Sequence, residues 1–452
     1  MTDIISKLTV AKFGGTSVAD HRAMLRCAKI IKDDPNNRLV VVSASAGVTN
    51  HLVRLAQANV SSQEQAKLIN NIKSIQLNIS QYLENQAELN DKILTILAEL
   101  TQLSSEQGQQ YSAQTSDAIL SCGEQMSSVL FTEVLTSIGV VSDCFDVREV
   151  MQTNSLFGKA IVDIEALKVN CLENLKAKIA NKVIVTQGFI GRDGLGNTTT
   201  LGRGGSDFSA ALLAEALNAD NLSIWTDVVG IFTTDPRITA QARALPEISF
   251  GEAAEMATFG AKILHPATLI PAMRHNIPVF VGSSKEPEKG GTKIQQQVGS
   301  NPTYRSIALR NEQTLVTVKS PAMLHASGFL AQVFSILAKH ELSVDLITTS
   351  EISVALTFDN PAGSTQSIIT NTVVKELEQL CEVSVEHGLS LVAVIGNNLH
   401  STKGISRNVF DSIIDVNVRM ICHGASANNL CFLVPEQDAN AVVEKLHESL
   451  FH

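Results

Sequence analysis

A chain of 452 residues with 44% hydrophobic and 18% charged side chains can fold two to four domains, each with its own core, and is too apolar for a disordered polymer. Its 35 basic against 45 acidic residues give a formal net charge of −10, which argues against nucleic acid or an anionic membrane as the main partner. Seven cysteines without CxxC spacing signal neither a zinc site nor a disulfide framework, and "MTDIISKLTV" lacks a signal-peptide core, so a cytoplasmic protein is expected.

The first strand is predicted at "LTVAKF" and runs into "AKFGGTSVAD", where Gly14 and Gly15 stand directly behind Lys12. Adjacent glycines let backbone N–H groups converge on an anion, and the spacing is not that of a Walker P-loop. After a second strand at "RLVVVSA", residues 51–103 mix leucine and isoleucine with Gln, Asn and Glu and contain no proline, which predicts a helical insert. "SCGEQMSS" offers Glu124 beside a glycine, read as lying before a helix. Further strands follow at "KVIVTQGFIG", "LSIWTDV" and "IPVFVGS", an alternation with helices that predicts an α/β domain with a mainly parallel sheet.

"TLGRGGSDFSAALLAEAL" (200–217) places Gly202, Gly204 and Gly205 before an Ala/Leu-rich helix, so free N–H groups and the positive helix end form an anion site. Ser206 or Asp207 is expected to cap that helix, and Arg203 can grip a carboxylate with two parallel hydrogen bonds. "SIWTDVVGIFTTDPR" (223–237) puts Thr226 and Asp227 at the carboxyl end of a buried strand, where parallel sheets bind ligands. "FGAKILHP" brings Lys262 close to a helix, and the glycine- and charge-rich "SSKEPEKGGTKI" closes the domain near residue 290.

Beyond residue 300 the chain repeats itself at an offset of 76: "LVTV" from Leu315 answers "LVAV" from Leu391, Gly328 answers Gly404, and Phe334 answers Phe410. The expected domains are a catalytic domain over 1–290, a linker with a strand over 291–310, and two βαββαβ units over 311–388 and 389–452. "YRSIALRN" (304–311) is expected to complete the second unit, so that the two interlock.

"KFGGTSV", "SASAGVTN", "LSCGEQMSSVL", "TLGRGGSDFSA", "TDVVGIFTTDPR" and "FGAKILHP" occur in the order found in the aspartate kinases of the amino-acid kinase family, and the repeats resemble its paired ACT regulatory units. The resemblance covers nearly the whole chain and is strongest for the lysine-sensitive, single-function type. It implies phosphorylation of the L-aspartate side chain by ATP to 4-phospho-L-aspartate, the first step towards lysine, threonine and methionine. It further implies that Lys12, with the Gly14 and Gly15 amides, neutralises the transferring phosphoryl group. Thr49, Glu124, Phe189, Arg203, Ser206 and Asp207 would surround aspartate, with Asp207 organising the catalytic end. Thr226, Asp227, Phe232, Arg237 and Lys262 would hold ATP; Phe232 stands where a tyrosine is expected.

A carboxylate is already an anionic nucleophile, so no general base is needed, and positioning and charge neutralisation carry the catalysis. A magnesium ion is expected, held mainly by ATP. The first repeat is read as a lysine receptor: amides of Gly328, Phe329 and Leu330 for the carboxylate, Asp345 and Glu351 for ammonium groups, and Met323, His325, Ser343, Val344, Thr349 and Ser350 as its wall. The second repeat, with Arg419 in the place of Asp345, is expected to bind no lysine. Units of this kind pair edge to edge, which predicts at least a homodimer. A kinase for glutamate, carbamate or a nucleotide would share the glycine loops without the repeats, and an inactive sensor would lack the charged site.

Overall fold

The computed structural model describes residues 7–451 except 261–263, 265, 325–326 and 361–366, and not the side chains of Gln109 and Ala322. It divides into two compact units: one of residues up to 231 with 244–250 and 263–298, the other of 232–243, 251–262 and 299 onward. Two segments N-terminal to residue 290 therefore cluster with the repeats.

The first unit contains strands β1 (Thr9–Phe13), β2 (Asn37–Val42), β3 (Ser142–Phe145), β4 (Gln152–Thr153), β5 (Val183–Gln187), β6 (Ile190–Asp193), β7 (Thr198–Thr200), β8 (Asn221–Thr226), β9 (Glu247–Ser249), β10 (Val279–Ser283) and β11 (Gly291–Gln295). Eight of them form one sheet in the order β3-β5-β2-β1-β8-β10-β11-β9. Every pair is parallel except β10 with β11. The near-continuous Val/Ile/Leu runs are what a sheet covered on both faces requires, and β1, β5 and most of β2 are buried along their length. "KVIVTQGFIG" yields two strands, not one. The chain breaks at Phe189, whose φ of 70° ends β5, and β6 joins β4 and β7 in a small separate sheet.

The helical insert comprises Val48–Leu55, Ser62–Ser80 and Gln86–Gln109, followed by the 25-residue helix Ala113–Ser137. Leu89, Ile93, Leu97 and Leu100 recur on one face and are buried with Phe13, Phe131 and Leu130 in a single core. Glu124 sits in the middle of helix Ala113–Ser137 and not before a helix. Gly123 is there for close packing: a Cβ would lie 2.7 Å from the Ala44 Cβ.

The second unit is built on β12 (Tyr304–Lys319), β13 (Ile347–Thr349), β14 (Ser353–Asp359), β15 (Glu382–Gly396), β16 (Met420–His423) and β17 (Asn429–Pro435), in the order β13-β14-β12-β15-β17-β16. "YRSIALRN" and "TLVTVKS" are one 16-residue strand, whose first half pairs with Leu391–Gly396 and whose second half pairs with Glu382–Glu386. The two long strands thus serve both repeats, which interlock. Register shifts around Gln313, beside the left-handed Glu312 and opposite the left-handed Gly388, mark where one repeat gives way to the other. "LSVDLITTS" forms a strand only over Ile347–Thr349. The two repeats share a hydrogen bond: Asp345 N–H donates to Thr357 O and Arg419 N–H to Leu433 O, the acceptors 76 and the donors 74 positions apart. No described helix is long and apolar enough to cross a membrane.

Candidate active site

The carboxyl ends of β1, β2, β5 and β8 lie side by side, and the loops leaving them carry most of the residues singled out above. Gly14 N–H donates to Trp225 O of β8, Ala46 N–H to Gly15 O, and Gly188 N–H to Val42 O, so these loops brace one another. A Cβ on Gly15 would lie 2.8 Å from the Ala44 carbonyl oxygen, which leaves room for glycine alone. Beneath the glycine pair, the Ser17 and Ser284 hydroxyls share a 2.7 Å hydrogen bond.

Lys12 is the last but one residue of β1, 8% exposed, and its Nζ lies 2.5 Å from Asp207 Oδ1. Burying an ammonium without a partner is strongly unfavourable, and Asp207 supplies that partner from the first turn of helix Gly205–Ala216. This helix is not capped by Ser206 or Asp207. Gly204, at φ 74°, occupies the cap position and no side chain caps the first turn; Gly205 N–H donates to Gly202 O, and the Ser206 and Asp207 N–H groups are left for an anion. Gly202 is likewise left-handed, and Arg203 between the two is exposed with no hydrogen-bond partner among the described residues.

Glu124 reaches the same end of the sheet from helix Ala113–Ser137 and is 6% exposed. Desolvation pushes its carboxyl up to about 8, against a hydrogen bond from the Ala44 N–H and the charge of Lys12. Phe189 is held in its left-handed conformation by two hydrogen bonds, from its N–H to Ser209 Oγ and from Leu201 N–H to its carbonyl. Such a conformation costs about 1–3 kcal/mol in a non-glycine residue. The Phe189 ring occupies the space a Cβ on Gly205 would take, at 2.6 Å. Thr49 is exposed near the start of helix Val48–Leu55.

Thr226 ends β8, and its hydroxyl bonds Asp227 at 3.2 Å. Phe232 and Arg237 belong to the second unit, where Arg237 pairs with Asp235 at 2.5 Å. Lys262 and His325 lie outside the described residues.

Sequence reasoning missed Asp117. Its buried carboxylate accepts from Gly158 N–H, Thr200 N–H and the Thr200 hydroxyl at 2.8–2.9 Å, fixing the end of β7 from which the glycine loop departs. The signal was available: Asp117 and Glu124 are seven residues apart, on one face of one helix.

In the first repeat, Gly328 at φ 92° begins helix Phe329–Lys339 without a side-chain cap. Asp345 is not free: Arg310 lies 3.3 Å away and also bonds Asp359, while desolvation raises the Asp345 acid above its ordinary value. Glu351 is exposed with no partner among the described residues. Met323 closes a single 3-10 turn, Ser343, Thr349 and Ser350 are exposed, and Val344 packs on the repeat's core. The position equivalent to Asp345, Arg419, is paired with Glu386 at 2.6 Å.

The amino acid kinase family matches residues 7–283, and the ACT domain matches residues 392–450. The chain is 51% identical to the lysine-sensitive aspartokinase 3 of Escherichia coli, over 99% of this chain and 100% of that protein. It is 34% identical to the chloroplastic aspartokinase 1 of Arabidopsis thaliana, over 98% of this chain and 80% of that protein. Among solved structures, E. coli aspartokinase III in complex with aspartate and ADP (R-state) superimposes with a TM-score of 0.90 at 51% identity, covering 99% of this chain and 100% of that one. The same enzyme in complex with lysine and aspartate (T-state) gives 0.86 at 52% identity, with the same coverage. With the amino acid kinase family matching residues 7–283 and relatives 51% and 34% identical over nearly the whole chain, the chain belongs to the aspartokinases of the amino acid kinase family.

Proposed function

We propose that the residues gathered at the carboxyl ends of β1, β2, β5 and β8 carry the aspartokinase reaction, in which the γ-phosphoryl group of ATP passes to the side-chain carboxylate of L-aspartate. The observation that carries this assignment is the buried Lys12–Asp207 pair beside Gly14 and Gly15. Nucleophile and donor are both anionic, so the barrier is largely their mutual repulsion. Lys12 turns from Asp207 to the incoming phosphate, and the Gly15 amide shares the developing charge; the Gly14 amide, expected to join it, is instead held by Trp225 O and shapes the turn. Arg203, exposed and unpaired among the described residues, grips the α-carboxylate, and ionised Glu124 meets the ammonium group. Ser206 and the helix start at Gly205 lie close to the reacting carboxylate, with Phe189 and Thr49 as walls. Thr226, Asp227, Phe232, Arg237 and Lys262 hold ATP.

Among the described residues no cluster of three or more His, Cys, Asp or Glu is built to cage a metal. Magnesium arriving on the phosphates fits such a site, because it takes one or two carboxylates and retains waters, with Asp207 the nearest acid to Lys12. When bound it supplies further neutralisation of phosphate charge. An assay of ADP release across L-aspartate, L-glutamate, carbamate and nucleotides tests the reading. Release dependent on L-aspartate is expected, and equal turnover of another acceptor contradicts it.

The raised acidity constant of Glu124 makes the reaction pH-dependent. An ammonium ligand binds the ionised form, so kcat/KM for aspartate should climb as pH rises and level off above about pH 8. The sign for stability is opposite. The folded protein keeps a proton that the unfolded carboxylate has released, so this group's contribution fades as pH rises from the ordinary carboxylate range to about 8. Glu124→Gln should flatten the kinetic profile, and a wild-type profile already flat between about pH 6 and 8 would remove Glu124 from the ammonium site.

Lysine inhibits through the first repeat: its carboxylate sits on the amides of Gly328, Phe329 and Leu330, as an anion at a positive helix end. Asp345 shares its charge with Arg310, which leaves Glu351 as the freer acid for an ammonium group. Met323, His325, Ser343, Val344, Thr349 and Ser350 complete the wall. Glu351→Lys should raise the half-inhibiting lysine concentration at least about tenfold, the scale of a lost charge-assisted hydrogen bond, with kcat in the absence of lysine within about twofold. Unchanged half-inhibition, or inhibition by threonine in place of lysine, contradicts the assignment. Inhibition requires tighter binding to a less active arrangement and cannot exceed that difference in affinity. Ile347 of edge strand β13 and Leu330 and Phe334 of helix Phe329–Lys339 are exposed apolar residues of the first repeat, which supports pairing with a second copy as a homodimer.

A further inference from the structure

The second repeat was expected to bind no lysine, and two segments from the catalytic stretch of the sequence are anchored in it. Thr233, between Phe232 and the nucleotide-side Arg237, is 4% exposed, and its hydroxyl shares a 2.8 Å hydrogen bond with His447 Nε2 of helix Ala439–Leu450. The same hydroxyl accepts from Arg243 N–H at 3.0 Å, and Thr233 O accepts from Ile307 N–H of β12 at 2.7 Å. Arg243 in turn donates to Phe451 O, and the His447 ring stacks on Phe451 at 4.8 Å.

The second segment has its own anchors. Glu252 is fully buried and accepts from Arg305 Nε at 2.6 Å and from Asn397 Nδ2 at 2.7 Å. Glu255, one turn further along, accepts from Ser426 and Asn429. Gly260 closes the segment against β12, where a Cβ would lie 2.9 Å from Leu309 O. A buried ion pair with every partner in place is geometrically demanding, so it fixes the segment in one arrangement.

We infer that the C-terminal repeat is a positioning element of nucleotide binding, with His447 acting through Thr233 to hold the Phe232–Arg237 segment in its ATP-binding shape. This rests on the reading that Phe232 and Arg237 contact ATP. His447 itself touches no substrate; it works through the hydroxyl beside that segment. A regulatory fold that holds part of the nucleotide site needs no separate relay to change ATP affinity when its own shape changes.

The test is steady-state kinetics of the full-length protein with ATP and aspartate varied separately. His447→Phe keeps a ring on Phe451 and deletes the hydrogen bond to Thr233; Thr233→Val keeps the shape of threonine and deletes that bond together with the acceptor for Arg243 N–H. His447→Phe should raise the ATP KM about fivefold, the value of one neutral hydrogen bond, and Thr233→Val at least as much, with the aspartate KM within about twofold in both. The double variant should be no worse than the worse single, and His447→Gln should recover part of the loss. An unchanged ATP KM in both singles, equal rises in both KM values, or a double variant equal to the product of the singles overturns the inference. Phe232→Ala and Arg237→Ala separate the two layers. If neither alters the ATP KM, the nucleotide assignment fails and the inference with it. If they do and the His447 and Thr233 variants do not, the inference alone fails.

Discussion

Lys12→Ala should slow phosphoryl transfer by roughly 10²- to 10³-fold, the scale for losing one charge-stabilising contact in the transition state, about 3–4 kcal/mol. The loss should appear in kcat, because charge builds on the transferring group as the donor bond breaks. A second consequence follows from the Lys12–Asp207 contact of 2.5 Å. Removing the ammonium leaves Asp207, with a side chain 17% exposed, without its partner, so the variant should also melt lower than the wild type. From the sequence alone the substitution looks free of that penalty, since nothing within reach of Lys12 along the chain is acidic. Lys12→Ala with Asp207→Asn separates the effects: stability should largely return and activity should not. Activity within a few-fold of wild type in Lys12→Ala would take Lys12 out of the site.

Arg203→Ala should raise the aspartate KM by about 10- to 100-fold, as expected for a charge-assisted hydrogen bond worth about 1.5–3 kcal/mol, and leave the ATP KM within about twofold. The α-carboxylate is bound alike in ground and transition states, so the loss is one of uniform binding. Arg203 is exposed in a loop between two left-handed glycines and supports no packing, so the fold should be untouched. A rise in the ATP KM with aspartate unaffected would move Arg203 to the phosphates.

The parallel sheet was legible because β1, β2, β5, β8 and β10 are short apolar runs rich in β-branched residues, the pattern of strands covered on both faces. The repeats were legible because an offset of 76 preserves Gly328 and Gly404, both left-handed helix starts without a side-chain cap. Three features were hidden for distinct reasons. Gly123 reads as a boundary, yet it lies inside a 25-residue helix where Ala44 approaches too closely for a side chain. The residue that bends β12 is Glu312, not a glycine, so nothing in its identity announces a positive φ. The partner of Lys12 and the anchors of Thr233 and Glu252 come from distant parts of the chain, and pairings of that range are set by the assembled fold. The candidate site was therefore readable as a set of residues, and its internal pairing was not.

The central claim is that this site makes an acyl phosphate on the aspartate side chain. Hydroxylamine trapping during turnover tests it most directly, because a β-aspartyl phosphate is captured as its hydroxamate while simple ATP hydrolysis yields none. Aspartyl hydroxamate is expected one for one with ADP, formed roughly 10²- to 10³-fold more slowly in Lys12→Ala and suppressed by L-lysine. ADP release without hydroxamate, or hydroxamate formed undiminished in Lys12→Ala, would contradict it.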